Sequence, residues 1–464
     1  MQRRPSLDLL ASATLAAVMI LIASGSSVVG FAHRVGQPGR WVALLALLAV
    51  SIALVAVRRV PLRMPPAVVA AAALAGIGIV STAWSVFPAI TLQRAVTFAV
   101  LLLAAALLGI AAAVDAALAR RLIGAIAVAA GLLALAGIVV YLARPSLGMQ
   151  GATPGTAARL RGFGENPNTL PMLYAVALPS LAWLCFTATS WRARLLWVAT
   201  SLLLLGSISA SGSRGAMIGA LPATLLVVVL SLRGRLLLIA FVATVAAFAI
   251  AVGGTTVAKP LGTAAAVVLT QAAVPNPVAA SASSSLAATL LVDGRAVDRV
   301  PLLTADPNEI GRPRIGRPYL DFHRTMFGSS GRAQAWDGGL RQSLQRPLLG
   351  FGFGTEDRVF IDRYYVFESR RIENSYLGLW LQIGAVGLCC FLLLLALLAL
   401  HLLRGWRSLR RVRGAAVAGA GIALSGAVMA VPQSYVYSVG NVATAAFWIG
   451  ALLLGSSVLR KDAA

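Results

Sequence analysis

The sequence predicts an all-α integral membrane protein with about twelve transmembrane helices and one long extracytoplasmic loop that contains short amphipathic helices. Composition is the first reason. Of the 464 residues, 59% are hydrophobic and 12% are charged, which is about half the charged share of a soluble domain. The second reason is that the apolar residues form runs of about 20, the length that crosses a bilayer core. We therefore expect lipid to be the solvent of most of this chain.

The apolar runs place each predicted span along the chain. The spans cover residues 8–30, 41–57, 66–84, 90–113, 121–142, 167–188, 195–211, 215–232, 236–253, 374–402, 413–431 and 441–459. Those at 41–57 and 195–211 are short, which favours little tilt or a partly re-entrant path. The first run is long enough to span, so we expect a signal anchor and no cleaved signal peptide.

Arginine residues set the expected orientation. If the N-terminus is cytoplasmic, every inner connection is basic, as the positive-inside rule requires. These inner residues are Arg3, Arg4, Arg58, Arg59, Arg63, Arg120, Arg121, Arg192, Arg194, Arg233, Arg235, Arg404, Arg407, Arg410, Arg411, Arg413, Arg460 and Lys461. Both termini are then cytoplasmic. The formal net charge of +24 reflects this sorting and does not indicate a nucleic-acid partner.

Three regions follow from these spans. They are transmembrane helices 1 to 9 (1–253), an extracytoplasmic loop region (254–373), and transmembrane helices 10 to 12 with a cytoplasmic tail (374–464). Within the loop, residues 290–304 predict a small hairpin. Residues 331–346 predict an amphipathic helix with Trp336, Leu340 and Leu344 along its apolar face.

Four short motifs fall on the outer side of this topology. They are Arg159-Leu160-Arg161-Gly162-Phe163-Gly164-Glu165-Asn166-Pro167-Asn168; Ser209-Ala210-Ser211-Gly212-Ser213-Arg214-Gly215; Gly331-Arg332 with Trp336 and Arg346-Pro347-Leu348-Leu349-Gly350-Phe351-Gly352-Phe353-Gly354; and Glu373-Asn374-Ser375-Tyr376-Leu377 with Gly384-Ala385-Val386-Gly387-Leu388. The glycines of the third motif predict a tight turn near the membrane surface.

In this order, the motifs resemble those of the O-antigen ligase/polymerase family of bacterial membrane glycosyltransferases. Ala83-Trp84-Ser85-Val86 and Arg94 also fit the family pattern, and the resemblance covers roughly residues 80–455. It implies an inverting glycosyltransferase in the bacterial inner membrane that uses an undecaprenyl-diphosphate-linked oligosaccharide, with no metal or other cofactor. Ligases of the family usually have histidine where this chain has Glu373. This departure favours a polymerase of O-antigen-like or exopolysaccharide chains over a ligase.

The chemistry of the outer arginines agrees with such a donor. A planar guanidinium donates two parallel hydrogen bonds to phosphate oxygens and keeps its charge. Neutralising the leaving diphosphate in this way would do the work that a metal does in soluble transferases. We therefore expect the donor diphosphate to be bound by Arg214, Arg161, Arg332, Arg159 and Arg94.

The remaining site residues are expected to act on the acceptor or to support the site. Glu373 is the predicted catalytic base, which accepts the proton of the attacking hydroxyl. The predicted supporting residues are Asn166, Asn168, Ser213, Trp336, Asn374 and Tyr376.

Plainer interpretations stay open for several of these residues. Arg159 and Arg161 can contact lipid headgroups, and Arg332 can be a solvated helix residue. Glu373 can cap a helix N-terminus, where a carboxylate is favourable in any protein. The Asn166-Pro167-Asn168 run can mark a helix start and nothing more.

Other functions also stay open at this stage. Within the family, the alternative is a ligase that transfers a finished glycan to another acceptor. Outside it, twelve spans suit a transporter or flippase, although transporters place polar groups near the bilayer midplane and these predicted spans are nearly charge-free. A non-catalytic assembly protein is the third alternative. Besides the lipid-linked oligosaccharide and the bilayer, a flippase or a chain-length regulator is a predicted partner.

Overall fold

The computed structural model describes residues 5–62, 64–151, 158–251, 332–360, 371–412 and 414–457. Helices dominate these residues, which confirms the predicted all-α membrane fold. In chain order the elements are α1 (Pro5–Gly25), α2 (Gly30–Arg58), α3 (Pro66–Val80) with a 3₁₀ turn (Ser81–Ala83), α4 (Pro88–Val114), α5 (Ala116–Ala143), α6 (Pro145–Gly148), β1 (Met149–Gln150), β2 (Arg159–Leu160), α7 (Thr169–Thr187), α8 (Trp191–Ser211), α9 (Arg214–Ser231), α10 (Gly234–Ala251), α11 (Arg332–Ser343), α12 (Glu356–Val359), α13 (Ser375–Val412), α14 (Ala416–Met429) and α15 (Val442–Ser456).

Each predicted span coincides with one helix. Among the described residues, ten helices are long and apolar enough to cross a membrane. The other two apolar helices, α14 and α15, have 14 and 15 residues. The predicted hairpin at 290–304 lies outside the described residues, as does most of the predicted loop region. The strands β1 and β2 form one short antiparallel hairpin between α6 and α7.

The prediction that the spans at 41–57 and 195–211 are short was wrong. Helix α2 has 29 residues and α8 has 21. The apolar pattern begins late because both helices start with polar turns. In α2, Gln37 Nε2 donates to the carbonyl of Gly25 at 2.8 Å, and this bond ties the polar turn to the end of α1. In α8, the Ser190 side chain caps the helix by accepting from the backbone N–H of Ala193 at 3.2 Å.

The connections between helices collect at two ends of the bundle. At one end, which we call the cavity end, Ser27 after α1 pairs with Gly164 before α7. There Ser375, the first residue of α13, donates to the carbonyl of Gln433 after α14 at 2.6 Å. At the opposite end, Arg58, the last residue of α2, forms ion pairs with Asp8 and Asp115, the latter at 2.6 Å. Loops that follow odd-numbered spans thus meet at the cavity end, as the predicted alternation requires.

The glycine turn predicted at 350–354 is confirmed. Gly350, Gly352 and Gly354 have φ values of +66°, +109° and +77°, in the region that side chains disfavour. The turn is inserted among the helices, because Phe353 is fully buried and its ring stacks on that of Phe98 in α4 at 5.1 Å. It therefore brings loop residues into the helical core.

The turn docks against a break in α13. Ile383 and Gly384 have non-helical backbone angles, and Gly384 has a φ of +66°. The break frees backbone groups, so that Gly352 donates to the carbonyl of Gln382 at 2.7 Å and Ala385 donates to that of Pro347 at 2.8 Å. This pairing explains why the Gly384 motif accompanies the glycine turn in the sequence.

The amphipathic helix predicted at 331–346 is present as α11, and Trp336 of its predicted apolar face packs against buried residues, whereas the prediction was wrong for the two leucines. Leu340 and Leu344 are 38% and 56% exposed. The buried side carries Gln342 instead, which donates to the backbone carbonyl of Val359. Small residues on this side allow α11 to pack closely against the segment before α13, and this close packing outweighs the burial of leucines.

Candidate active site

A polar cavity of about 670 Å³ opens at the cavity end of the bundle. Its walls come from α2, α4, the start of α7, the glycine turn, the segment before α13 and the α14–α15 connection. Seven charged side chains line it, namely Arg40, Arg94, Arg371, Glu165, Glu356, Asp357 and Glu373. Three cations and four carboxylates make the lining formally mixed in charge, which suits the hydroxyl groups of sugars better than a bare diphosphate.

Glu373 lies on this cavity wall, in a strained backbone conformation. Its φ is +55°, which is uncommon for a residue with a side chain. Its carbonyl accepts a hydrogen bond from Trp336 Nε1 at 3.3 Å. The interpretation of Glu373 as a helix cap does not hold, because Asn374 caps α13: its Oδ1 accepts from the backbone N–H groups of Tyr376 at 2.9 Å and Leu377 at 3.1 Å.

Glu356 is a buried carboxylate at the base of the cavity. Its Oε1 accepts hydrogen bonds from the Ile372 backbone N–H and from Ser434 Oγ, each at 2.9 Å. Its Oε2 accepts from Tyr437 Oη at 2.6 Å. Burial raises the pKa of the Glu356 carboxyl above its usual value, although the charge of Arg371 and these donors oppose the shift. Sequence reasoning did not single out this residue.

Arg371 was also missed by the sequence analysis. It lies two residues before Glu373, and its Nη1 donates to Ser438 Oγ at 3.3 Å. Burial disfavours its charge, but Glu356 and neighbouring anionic groups more than compensate and raise the pKa of Arg371 above its usual value. Its place directly before the Glu373 motif is the signal in the sequence that could have identified it.

Arg94, a predicted donor ligand, lines the cavity but is engaged by the protein. Its guanidinium forms a two-pronged ion pair with Asp357, in which Nη2 and Oδ2 are 3.1 Å apart. Nη1 also donates to the carbonyl of Gly354. Burial opposes the negative charge of Asp357, but the hydrogen bonds and charge of Arg94 lower the pKa of that carboxyl. The pair holds the glycine turn against α4.

Arg214 and Arg332 lie outside the cavity lining and interact electrostatically with each other. Arg214 is the first residue of α9 and Arg332 the first described residue of α11, and they are close enough to repel each other electrostatically. Arg332 Nε donates to the carbonyl of Pro432 at 3.1 Å, and its side chain also interacts with the charge of Glu373. Burial lowers the pKa of Arg332. Two partly buried like charges side by side create a local excess of positive charge.

Arg159 and Arg161 lie outside the cavity lining and bind the protein itself. Arg159 Nε donates to the carbonyl of Ser211 at 2.6 Å, and its Nη2 donates to Asn168 Oδ1 at 2.9 Å. Arg161 donates to the carbonyls of Leu147 at 2.8 Å and Ser146 at 3.2 Å. Each arginine therefore anchors the loop before α7.

Two of the six predicted supporting residues line the cavity, and the other four lie outside its lining. Asn166 and Asn168 line it, and the Oδ1 of Asn166 accepts from the backbone N–H of Asn168 at 2.8 Å. Ser213 is buried at the start of α9. Tyr376 Oη donates to the carbonyl of Ala427 at 2.8 Å, so this side chain joins α13 to α14. Among the described residues, no three His, Cys, Asp or Glu side chains form a group that could hold a metal ion.

Part of the chain that forms this candidate site is similar to a known protein family. Residues 199–392 match a family model described as O-antigen ligase. This stretch belongs to the O-antigen ligase family. The resemblance inferred from the four motifs is confirmed over that range. No curated protein matches the chain.

The matched stretch contains four of the seven charged residues that line the cavity. It includes Arg214, Arg332, Glu356 and Glu373, whereas Arg94 lies before it. The match over this stretch supports an O-antigen ligase/polymerase-type membrane glycosyltransferase, and the apolar helices support a multi-pass membrane protein.

Proposed function

We propose that this protein polymerises undecaprenyl-diphosphate-linked oligosaccharide repeat units into an O-antigen-like or exopolysaccharide chain. The observation that carries the proposal is the position of the Glu373 carboxylate, which lines the polar cavity and is also within electrostatic range of Arg332. Arg332 in turn lies within electrostatic range of Arg214. A diphosphate suits the cationic pair, and sugars suit the cavity.

The reaction balances without a further reactant. An acceptor hydroxyl oxygen attacks the anomeric carbon of the donor sugar, and the bond from that carbon to the diphosphate oxygen breaks. The diphosphate leaves with the electron pair, and Arg214 and Arg332 neutralise its charge. Glu373 takes the proton of the hydroxyl. Attack opposite the leaving group inverts the configuration at the anomeric carbon.

Other candidate arginines have supporting parts in this proposal. Arg94 positions the glycine turn through Asp357 and also lines the cavity. Arg159 and Arg161 hold the loop that carries Asn166 and brings it to the cavity wall. This division leaves the diphosphate to Arg214 and Arg332, whose guanidinium groups interact electrostatically with each other.

The acceptor decides between polymerase and ligase. Glutamate at 373, in place of the histidine usual in ligases of the family, favours a polymerase whose acceptor is a sugar on a second lipid-linked unit. The family description favours the second candidate, a ligase that transfers the glycan to another lipid or to a protein.

We place the cavity on the extracytoplasmic face and both termini in the cytoplasm. The support is the arginine distribution, because the connections at the opposite end of the bundle carry Arg58, Arg121, Arg192 and Arg233. A flippase that delivers the lipid-linked unit to this face is the expected partner.

Purified protein with a lipid-linked oligosaccharide as sole sugar substrate tests the proposal. A ladder of longer lipid-linked glycans is the expected product. Transfer that appears only after another acceptor is added would make the protein a ligase. Translocation of labelled lipid across vesicles without new glycosidic bonds would make it a transporter, and neither activity would favour an assembly protein.

A further inference from the structure

The Glu356 side chain is hydrogen-bonded to the backbone directly beside Glu373. Glu356 Oε1 accepts from the N–H of Ile372 at 2.9 Å, the residue directly before Glu373. Ser434 Oγ donates to the same carboxylate oxygen at 2.9 Å and accepts from the N–H of Asn374 at 3.0 Å. The residues on both sides of Glu373 are therefore held by Glu356 and its neighbour Ser434.

The second carboxylate oxygen of Glu356 contacts the α14–α15 connection, which also carries Ser434. Tyr437 Oη donates to Oε2 at 2.6 Å, and the ring lies against Gly378 in α13, where a Cβ would collide with the hydroxyl. Glu356 belongs to α12, Ile372 to the segment before α13, and Tyr437 to the α14–α15 connection. One buried carboxylate thus ties together three segments that are distant in the sequence.

The backbone of Glu373 needs such support. A φ of +55° is unfavourable for a residue with a side chain and persists only where its surroundings impose it. Trp336 holds the carbonyl of Glu373, and Asn374 begins the next helix as its cap. Glu356 supplies the bond on the N-terminal side, at Ile372. Without it, the segment can relax toward an ordinary φ and carry the Glu373 carboxylate away from its place.

We propose that Glu356 is a positioning residue whose buried carboxylate holds the backbone of residues 372–374 and thereby aims Glu373 into the cavity. This inference rests on the proposed role of Glu373 as proton acceptor. Glu356 itself accepts three hydrogen bonds from the protein, which occupy most of the about four acceptor sites of a carboxylate.

A double-mutant cycle on the full-length protein tests this proposal. Turnover of lipid-linked oligosaccharide is measured for wild type, Glu356→Gln, Glu373→Gln and the double variant. When Glu373 is present, we expect Glu356→Gln to lower kcat about 10- to 100-fold, with a smaller change in KM. In the Glu373→Gln background the same substitution should cost less than about 2-fold, because its effect acts through Glu373.

Amide hydrogen exchange supplies a readout that needs no catalysis. In Glu356→Gln and in the milder Tyr437→Phe, the amides of residues 372–377 should exchange faster than in wild type. Tyr437→Phe removes one hydrogen bond from Glu356 and keeps both readouts accessible if Glu356→Gln does not fold. The matched control is Asp115→Asn, a carboxylate-to-amide change at the opposite end, which should alter neither readout.

Two results would overturn the proposal. Equal losses from Glu356→Gln with and without Glu373 would show an independent role, and unchanged exchange at 372–377 would show that Glu356 does not hold this segment. If wild-type protein does not turn over the oligosaccharide, the proposed function fails, and the exchange experiment still decides whether Glu356 holds the segment.

Discussion

Arg94 and Asp357 form a two-pronged ion pair although 263 residues separate them in the chain. The pair joins α4 to the short helix that follows the glycine turn, and Nη1 of Arg94 also holds the carbonyl of Gly354. A predicted substrate ligand therefore has a structural partner, and the stability of the turn depends on the charge of Asp357.

Removing that charge should destabilise the protein in a pH-dependent way. We expect Asp357→Asn to lower unfolding stability near neutral pH by about 1 to 3 kcal/mol. Because the folded pKa of Asp357 is lowered, its contribution is present above the unfolded carboxyl pKa and is lost as pH falls through the folded value. The difference between wild type and variant should therefore shrink in acid. Thermal unfolding across this pH range measures it.

The control for this substitution is Asp337→Asn. Asp337 pairs with Arg341 along one exposed helix face, and its side chain is 61% exposed. Loss of such a pair should change stability by less than about 0.5 kcal/mol. A similar loss from both variants would contradict the structural role of the Arg94–Asp357 pair.

Glu373→Gln should separate catalysis from stability. Since Asn374 provides the cap of α13, the glutamine variant should keep the thermal stability of wild type and lose about 100-fold or more in turnover. Asn374→Ala should show the reverse balance, with about 1 kcal/mol of stability lost and a smaller loss of turnover. Turnover of Glu373→Gln within a few-fold of wild type would exclude this residue as the base.

Lysine substitutions should expose the diphosphate site. Arg214→Lys and Arg332→Lys keep the charge but remove the fork, so each should weaken binding of a lipid diphosphate by about 1 kcal/mol or more. Arg192→Lys, at the opposite end of the bundle, is the control and should bind normally. The measurement is titration with undecaprenyl diphosphate in detergent. Normal binding by both site variants would place the diphosphate elsewhere.

Gly352→Ala tests the docking of the glycine turn. Its φ of +109° disfavours any side chain, and an added Cβ would collide with Ser85 Oγ. We expect a loss of more than about 1 kcal/mol from the backbone alone. Gly124→Ala in α5, where a Cβ would meet nothing within 4 Å, should be neutral or stabilising. Thermal unfolding of both variants decides, and equal effects would argue against a required positive φ.

Cysteine labelling tests the proposed orientation. In a variant without the native cysteines, Leu348→Cys at the cavity end should react with an impermeant maleimide added to intact cells. Leu62→Cys at the opposite end should react only after the membrane is opened. Both positions are well exposed on the protein, at 66% and 62%, so burial by other protein groups does not decide the outcome. Reaction of Leu62→Cys alone in intact cells would reverse the topology.

The positions of the membrane helices were predictable because their cause is local. A run of about 20 apolar residues needs a bilayer whatever its neighbours are, and α4 and α5 follow the predicted spans closely. The start of α2 was missed because its polar first turns depend on a contact between Gln37 and Gly25. That contact exists only after α1 and α2 have packed.

The motifs located the candidate site but not the partners within it. Glu373, Arg214 and Arg332 were identified from short patterns, and they lie at one end of the bundle. Glu356 was not identified, since its partners Ile372 and Tyr437 are 16 and 81 residues away. No local pattern shows that a carboxylate will be buried among such donors.

Composition and periodicity therefore sufficed for the all-α membrane fold, since hydrophobic burial in lipid acts on each segment separately. Only the tertiary structure decided which charges are neighbours: Arg94 beside Asp357, Arg214 beside Arg332, and Glu356 beneath the segment of Glu373. Ion pairs and hydrogen bonds form between groups a few ångströms apart in space, and the packing of distant helices sets that distance.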